Sequence, residues 1–293
     1  MDLPVNSVPA WRIKGERFLN MNHPLIMGVI NCTPDSFYDG GRHRHPDEAV
    51  RRGLELVSEG ALILDVGGES TRPGALPVTR EEELERVLPV MQRLSAALEQ
   101  SHPEVVLSVD TTKAEVAAMA LAAGAAVVND ISACRFDPGL LDVLRQYQPG
   151  YVLMHALGTP ATMQSNPYYE NVLDEVRRFF EQRMNVLVQS GLSEDAIILD
   201  PGIGFGKLLE HNLRLLRNID DLLQLGRPLL VGISNKSFWK GLLGLELEER
   251  GSVTQVATAL LTVKGVRVHR VHDVLETQRT LRVFQELSGG GSC

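Results

Sequence analysis

One pattern constrains the fold of this chain more than any other: short apolar runs alternate with segments of helical periodicity from residue 25 onward. Eight runs have the composition of buried strands, at 25–30, 62–66, 105–109, 125–128, 151–154, 196–199, 229–233 and 266–271. Segments with apolar residues at spacings of three and four follow them, at 47–59, 80–100, 112–123, 137–147, 169–190, 209–225, 251–264 and 273–287.

The alternation predicts one α/β domain built as a (β/α)8 TIM barrel. Strict alternation is typical of parallel strands joined by right-handed crossovers, and eight such units suit a closed barrel better than an open sheet. Residues 1–24 form an N-terminal extension, in which "WRIKGERFL" predicts a hairpin that closes the bottom of the barrel. The barrel is assigned to 25–287, and the glycine-rich end at 288–293 is expected to be a flexible tail.

Composition excludes several classes of function. No apolar run approaches the roughly 18 residues of a membrane helix, so no membrane segment is expected. A net charge of −8 argues against nucleic-acid binding and requires a local cationic cluster for any anionic substrate. Three scattered cysteines, and an N-terminus without the features of a signal peptide, predict a cytoplasmic protein.

Polar residues follow all eight predicted strands, which indicates an active site at one rim of the barrel. Catalytic groups of such barrels come from the C-terminal strand ends and the loops after them. Any one of these residues could instead cap a helix or form a turn, but eight together favour a site. They are Asn31, Asp65, Asp110, Asn129 with Asp130, His155, Asp200, Ser234 to Lys236, and Arg270 with His272 and Asp273.

Eight motifs, in this order, resemble the signatures of the dihydropteroate synthase family. They are "MGVINCTPDSFYDGG", "LILDVGGESTRPGA", "SVDTTKAEVA", "VVNDIS", "VLMHALGTPATMQ", "ILDPGIGFGK", "LLVGISNKSF" and "RVHDV". The resemblance implies a barrel enzyme that condenses 7,8-dihydropterin-6-ylmethyl diphosphate with 4-aminobenzoate, giving 7,8-dihydropteroate and pyrophosphate in folate biosynthesis. It also implies a homodimer formed through the last helices.

A pterin can be matched to three of the strand-end residues on chemical grounds. Its 2-amino-4-oxo edge presents adjacent donors and acceptors, so a selective pocket needs carboxylates and an amide. Asp110, Asn129 and Asp200 are such a set, and the resemblance implies that they bind this edge while Met154 lines the pterin face. Helix capping by Asp110 and Asn129, and a core role for Met154, remain open as alternatives.

Arg270 and His272 lie two residues apart on the last predicted strand and supply the required cationic cluster for a diphosphate. The resemblance places Lys236 beside the pterin and 4-aminobenzoate, with Ser237 in the same substrate-binding set. It makes Asn31 the candidate ligand of a Mg²⁺ ion that travels with the diphosphate. The segment "GIGFGK" fits neither a Walker motif nor a dinucleotide fingerprint. Its glycines are expected to let the backbone approach a flat ligand, with Phe205 as a wall for the aromatic amine.

Two rim segments, "NCTPDSFYDGG" and "GGESTRPGA", have the composition of mobile loops, with glycine pairs as hinges and prolines as stiffeners. Such loops would shield from water the cation that forms on the pterin methylene when its C–O bond breaks. By resemblance, Asp35 faces that cation, and Thr71 and Arg72 contact the diphosphate or the benzoate. Asp35, Arg72 and Lys236 are therefore the candidate catalytic residues.

Three other functions remain open. A pterin-dependent methyltransferase acting with a corrinoid protein would share the pterin residues but would not need Arg270 and His272. A degenerate homologue would bind pterin without turnover, and Asn235 does stand where the family has an arginine. An unrelated phosphate-binding aldolase would use Lys236 as its Schiff-base lysine. Cys32 is interpreted as a packing residue, because no base is expected beside it.

Overall fold

A computed structural model of the protein describes residues 10–33, 44–71 and 74–288. Over these ranges eight parallel strands, β3 to β10, form a nearly closed barrel, which confirms the predicted fold. A two-stranded antiparallel hairpin, β1 and β2, precedes it. The strands are β1 (Trp11–Ile13), β2 (Arg17–Leu19), β3 (Leu25–Asn31), β4 (Ile63–Gly67), β5 (Val106–Asp110), β6 (Val127–Asp130), β7 (Gly150–Met154), β8 (Ile197–Asp200), β9 (Leu230–Val231) and β10 (Val268–Val271).

Neighbouring strands pair around the barrel in the order β8, β7, β6, β5, β4, β3, β10, β9. The remaining gap, between β8 and β9, is bridged by the parallel pair Leu199 and Leu229. The seventh predicted strand, 229–233, proved shorter than expected, because β9 ends at Val231 before Gly232. The chain beyond β9 is therefore a turn, which changes how Lys236 reaches the site.

The helices of the described ranges surround the barrel, and most coincide with the predicted segments. The segment 209–225 is divided between α6 and a 3-10 turn over Ile219–Leu225, and the six-residue α7 was not predicted because it is too short to show a helical period. None of these helices is long and apolar enough to cross a membrane. They are α1 (Arg44–Ser58), α2 (Arg80–Ser101), α3 (Ala114–Ala122), α4 (Leu140–Tyr147), α5 (Val172–Gln189), α6 (Leu209–Arg217), α7 (Phe238–Leu243), α8 (Arg250–Val263) and α9 (Val274–Leu287).

The hairpin closes the N-terminal end of the barrel. Trp11 and Ile13 are fully buried and pack with the first inward-facing residues of the strands, including Ile63, Val127 and Val268. The Trp11 indole Nε1 donates to the Ala196 carbonyl at 2.7 Å, so its polar atom is satisfied. This seal confirms the position predicted for "WRIKGERFL" and leaves the opposite end of the barrel for the site.

Alternation along the strands divides the barrel interior into two layers. Near the hairpin the inward positions are apolar, as in Ile63 and Val106. Two residues further along the same strands, the inward positions hold Asp65 and Ser108, whose side chains bond to each other. The C-terminal half of the barrel therefore carries a polar layer above an apolar floor.

Candidate active site

Arg270 lies at the centre of this polar layer, between two carboxylates. Its Nε donates to Asp65 Oδ2 and its Nη2 donates to Asp110 Oδ2, each at 2.7 Å. The Asp65 side chain is fully buried, whereas 11% of the Asp110 side chain and 22% of the Arg270 side chain are exposed. The open part of this trio therefore faces the mouth of the barrel through Asp110 and Arg270.

Asp65 organises its neighbours although it was not among the predicted binding residues. Its Oδ2 also accepts from Asn129 Nδ2 at 2.9 Å, and its Oδ1 accepts from Ser108 Oγ at 2.6 Å. Strands β4, β5, β6 and β10 are thus tied together through one carboxylate. The only sequence signal for this role was the position of Asp65 near the end of a predicted strand.

Helix capping does not explain Asp110 and Asn129. The N-cap residues of α3 and α4 are Lys113 and Gly139, and the side chains of Asp110 and Asn129 point to Arg270 and Asp65 instead. By contrast, Asp130 and Asp273 have local structural roles. Asp130 faces away from Asn129 and accepts from Tyr151 Oη at 2.8 Å, and Asp273 caps α9.

Burial perturbs the ionisation of the charged groups at the mouth. It raises the pKa of Asp110 to about 7, even though Arg270 opposes that shift. Burial also raises the pKa of Asp200. For Arg270, burial opposes the charged form, but Asp65 and Asp110 together hold its pKa above its ordinary value. Carboxyl groups balanced in this way are typical of functional sites.

Asp200 and Met154 end neighbouring strands and stand side by side in the register of β7 and β8. Asp200 Oδ1 accepts from the Gly202 amide at 2.8 Å, so one oxygen is held by its own turn. Met154 belongs to a separate buried cluster with Ile131, Ala156, Met163 and Phe205. A carboxylate therefore adjoins an apolar wall, which suits a flat heterocycle with a polar edge.

Lys236 joins this wall from the turn after β9. Its Nζ lies 4.0 Å from the centroid of the Phe205 ring, which is a cation–π contact. Burial lowers the pKa of Lys236 to about 8, while Asp200 acts in the opposite direction. The Lys236 side chain is thus an ammonium group with a lowered pKa, and it lies over the Phe205 ring.

The residues on either side of Lys236 point elsewhere. Strand alternation does not fix the directions of Asn235 and Lys236, because β9 ends at Val231. Asn235 is exposed and has a left-handed backbone (φ 60°), and its carbonyl accepts from Arg250 Nη1 at 3.0 Å. Ser237 is exposed at the N-cap of α7 and makes no capping hydrogen bond with its side chain.

His272 lies just beyond β10 and contacts the turn after β9. Its Nδ1 is 3.0 Å from Ser234 Oγ, and its carbonyl accepts from Arg52 Nη2 at 3.4 Å. The half-buried imidazole and the Arg270 guanidinium therefore have different partners. Sequence reasoning placed them in one cluster and did not foresee that Arg270 also holds two carboxylates.

The loop after β4 is anchored by buried charges. Lys113 Nζ donates to Glu69 and to Glu83, and the Glu83 side chain is fully buried. Gly68 lies so close to α2 that a Cβ there would be 2.8 Å from a Val87 methyl, so close packing explains this glycine. The loop thereby brings Thr71 to the rim, where it is half-buried. Lys113 and Glu83 were not predicted to have this role.

Part of the predicted site lies outside the described residues. Asp35 and Arg72, two of the three candidate catalytic residues, belong there, as do Pro34, Pro73 and the glycine pair at 40–41. Asn31 is described: it ends β3, is half-buried, and pairs with Gly67 of β4. Cys32 follows it, and burial raises the pKa of its thiol to about 12, which suits a packing role.

Comparison with known proteins agrees with this geometry. A family model described as "pterin binding enzyme" matches residues 27–272. The dihydropteroate synthase of Escherichia coli strain K12 is 41% identical over 267 residues, which are 91% of this chain and 93% of that protein.

Two solved structures of the dihydropteroate synthase from Xanthomonas albilineans are similar over almost the whole chain. The structure with 4-aminobenzoic acid has a TM-score of 0.88 at 41% identity and covers 96% of this chain and 98% of its own. The structure with 7,8-dihydropteroate has a TM-score of 0.83 at 40% identity, and the match covers 93% of this chain and 96% of the other. With this identity along nearly the full barrel, the chain belongs to the dihydropteroate synthase family of pterin-binding enzymes.

Proposed function

We propose that this protein joins 7,8-dihydropterin-6-ylmethyl diphosphate to 4-aminobenzoate, forming 7,8-dihydropteroate and releasing pyrophosphate. The observation that carries the proposal is the pairing of a polar layer, with Asp110, Asn129 and Asp200, and an apolar wall that contains Met154 and Phe205. Relatives with the same barrel hold 4-aminobenzoic acid or 7,8-dihydropteroate, which are a substrate and the product of this reaction.

In the proposed complex the pterin lies flat against Met154 with its polar edge toward β5, β6 and β8. Asp110 and Asp200 would accept from the ring N–H and amino groups, and Asn129 would provide a donor or an acceptor. Arg270 would keep Asp110 in place and compensate its charge. The fused ring would be recognised by hydrogen bonds that an analogue without this edge could not make.

The diphosphate would lie near the ends of β9 and β10, where His272, Ser234 and the open side of Arg270 supply donors. Among the residues that the structure describes, no group of three or more His, Cys, Asp or Glu side chains is placed to hold a metal. A single amide oxygen at Asn31 nevertheless fits Mg²⁺, which takes most of its ligands from phosphate and water. The ion would neutralise charge on the diphosphate as that group leaves.

The reaction would proceed by loss of the diphosphate from the pterin methylene, attack of the arylamine nitrogen on the cation that results, and release of one proton from that nitrogen to water. Lys236 and Phe205 would hold 4-aminobenzoate, with the ammonium near the carboxylate or the ring. Four further residues remain proposed participants. Thr71 and Arg72 would contact the diphosphate or the benzoate, Ser237 would belong to the substrate-binding set, and Asp35 would be the acid facing the cation.

A homodimer is the proposed assembly, and an exposed apolar stripe on the last two helices supports it. On α8, Val256, Leu260 and Val263 share one face and are about three-fifths exposed, and Val283 and Leu287 of α9 are also exposed. The helices α8 and α9 pack on each other, and a second copy that covered both would bury these side chains. A cytoplasmic location, and the assignment of the barrel domain to residues 25–287, also remain proposals.

Release of pyrophosphate tests the function directly. The purified protein is incubated with both substrates and Mg²⁺, and pyrophosphate and dihydropteroate are measured together. Equal amounts of both products are expected, and no pyrophosphate should form without 4-aminobenzoate. Tight pterin binding without either product would instead identify a degenerate homologue, and methyl transfer from a reduced pterin would identify the methyltransferase.

A further inference from the structure

The buried lysine in the turn after β8 is the strongest feature that the proposed reaction leaves unused. Lys207 is 3% exposed, and its Nζ has four acceptors within hydrogen-bonding distance. They are His155 Nδ1 at 2.9 Å and the carbonyl oxygens of Gly202 at 3.1 Å, Phe205 at 3.1 Å and His155 at 3.3 Å. No carboxylate is among them.

The geometry of these contacts favours a protonated amine over a neutral one. A neutral amine has only two N–H groups, whereas an ammonium has three, so three backbone carbonyls and an imidazole nitrogen favour the charged form. His155 must then present Nδ1 as an acceptor, and burial together with Lys207 and Arg135 does keep its pKa well below the usual value. Burial, and to a smaller extent the nearby Lys236 ammonium, lowers the pKa of Lys207 to about 7, while Asp200 opposes that shift.

The four acceptors belong to two segments that are in unusually close contact. A Cβ on Gly202 would lie 1.9 Å from the His155 carbonyl oxygen, and one on Gly206 would lie 2.6 Å from that of Leu157. Both glycines have left-handed backbones, with φ values of 65° and 63°. The turn 202–206 is thus pressed against the end of β7, and the Lys207 ammonium bonds to both sides of that contact.

Phe205 occupies the middle of this turn, and its ring faces the Lys236 ammonium. Because Phe205 is held through its carbonyl by Lys207, the position of the ring depends on a side chain that is not in the substrate-binding set. We propose that Lys207 is a positioning residue: it fastens the turn 202–206 to β7 and so fixes Phe205 as the wall for the arylamine. The choice of substrate in this inference rests on the proposed function, but the placement of Phe205 does not.

Kinetics on Lys207→Met test the consequence for the arylamine. The KM for 4-aminobenzoate should rise at least tenfold. The KM for the pterin diphosphate should rise by a clearly smaller factor, because Asp110 and Asn129 lie on other strands and only Asp200 is held by this turn, through the Gly202 amide. Tyr169→Phe is the matched control. It removes a hydroxyl that donates to the Gly206 carbonyl of the same turn at 2.8 Å, but it leaves the Lys207 contacts intact, so both KM values should stay within twofold.

A spectroscopic measurement keeps the inference separate from the proposed function. The chain has eight phenylalanines, so protein labelled with 4-fluorophenylalanine gives a fluorine NMR spectrum in which Phe205→Leu identifies one resonance. In Lys207→Met this resonance should shift or broaden while the others stay in place, and in Tyr169→Phe it should not move. An unchanged resonance in Lys207→Met overturns the inference, whether or not the wild-type protein makes dihydropteroate.

A milder variant covers the case in which Lys207→Met does not fold. His155→Leu removes one acceptor and leaves the three carbonyls to Lys207, so the same resonance should move and the KM for 4-aminobenzoate should rise about threefold. If both variants fold and all KM values rise equally, Lys207 supports the whole barrel rather than Phe205, and the inference is wrong. If wild type proves inactive, the fluorine spectrum alone decides.

Discussion

Replacement of Asp65 by asparagine would isolate the charge at the centre of the barrel. Asp65 Oδ2 accepts from both Asn129 and Arg270, and Oδ1 accepts from the Ser108 hydroxyl. An asparagine can place its carbonyl oxygen at the first position and its amide toward Ser108, whose hydroxyl can turn to accept. The hydrogen bonds and the volume would remain, and only the negative charge would be lost.

The hydrogen bonds of Asp65 set the expected loss in the free energy of unfolding. A hydrogen bond to a charged group contributes about 1.5–3 kcal/mol and a neutral one about 0.5–1.5 kcal/mol, so Asp65→Asn should lower the free energy of unfolding by about 1–2 kcal/mol. Asp65→Leu has a similar volume but leaves Arg270 and Asn129 without this acceptor. Breaking a buried ion pair from one side costs about 3–5 kcal/mol, so the leucine variant should be clearly less stable.

Urea unfolding followed by circular dichroism measures this difference at pH 7. Pterin binding by calorimetry measures a second effect, because the charge of Asp65 helps to raise the pKa of Asp110 to about 7. Binding that needs ionised Asp110 strengthens as pH rises through this pKa, and in Asp65→Asn the rise should move to lower pH. Equal stability of the two variants, or a rise at unchanged pH, would refute the assigned role of Asp65.

Three further outcomes are expected at the mouth of the barrel. Asp200→Asn should weaken pterin binding by about 2–4 kcal/mol in calorimetry and leave the fold intact, whereas unchanged affinity would remove Asp200 from the site. His272→Ala should weaken pyrophosphate and the pterin diphosphate much more than a pterin without phosphate; Arg270→Ala is a poorer test, because Arg270 also holds Asp110. The pKa of Lys236, lowered by burial to about 8, predicts that 4-aminobenzoate binding declines as pH rises above 8, and Lys236→Arg should abolish that decline.

The fold was predictable because the barrel repeats one local rule. Alternating strand and helix patterns located all eight barrel strands, and the hairpin was visible in the alternation around Lys14, Gly15 and Glu16. The errors arose where the local pattern was too short or was interrupted. Strand β9 has only two residues, and α7 has six, so neither shows a reliable period.

The polar groups of the rim were predictable by position, but their partners were not. Asp110, Asn129 and Asp200 follow from the strand ends, and the structure places them in the polar layer. The bonds from Arg270 to Asp65 and Asp110 join residues 205 and 160 positions apart, and no local pattern reports such pairs. The same holds for Lys207. In the sequence it only ends the glycine-rich segment "GIGFGK", whereas in the structure its ammonium lies beside His155.

The resemblance of the motifs places Asn235 where an arginine is expected, and the backbone at this position indicates what an arginine would do there. Asparagine tolerates the left-handed conformation (φ 60°) better than arginine, so Asn235→Arg should destabilise this turn by about 1 kcal/mol, whereas Asn235→Gly should not. The side chain is exposed and Lys236 faces Phe205 independently of it, so turnover should change by less than about tenfold, equivalent to about 1.4 kcal/mol. Steady-state release of pyrophosphate by the three proteins measures this. If the native chain is inert and Asn235→Arg restores synthesis, the interpretation of the native chain as a working synthase is wrong.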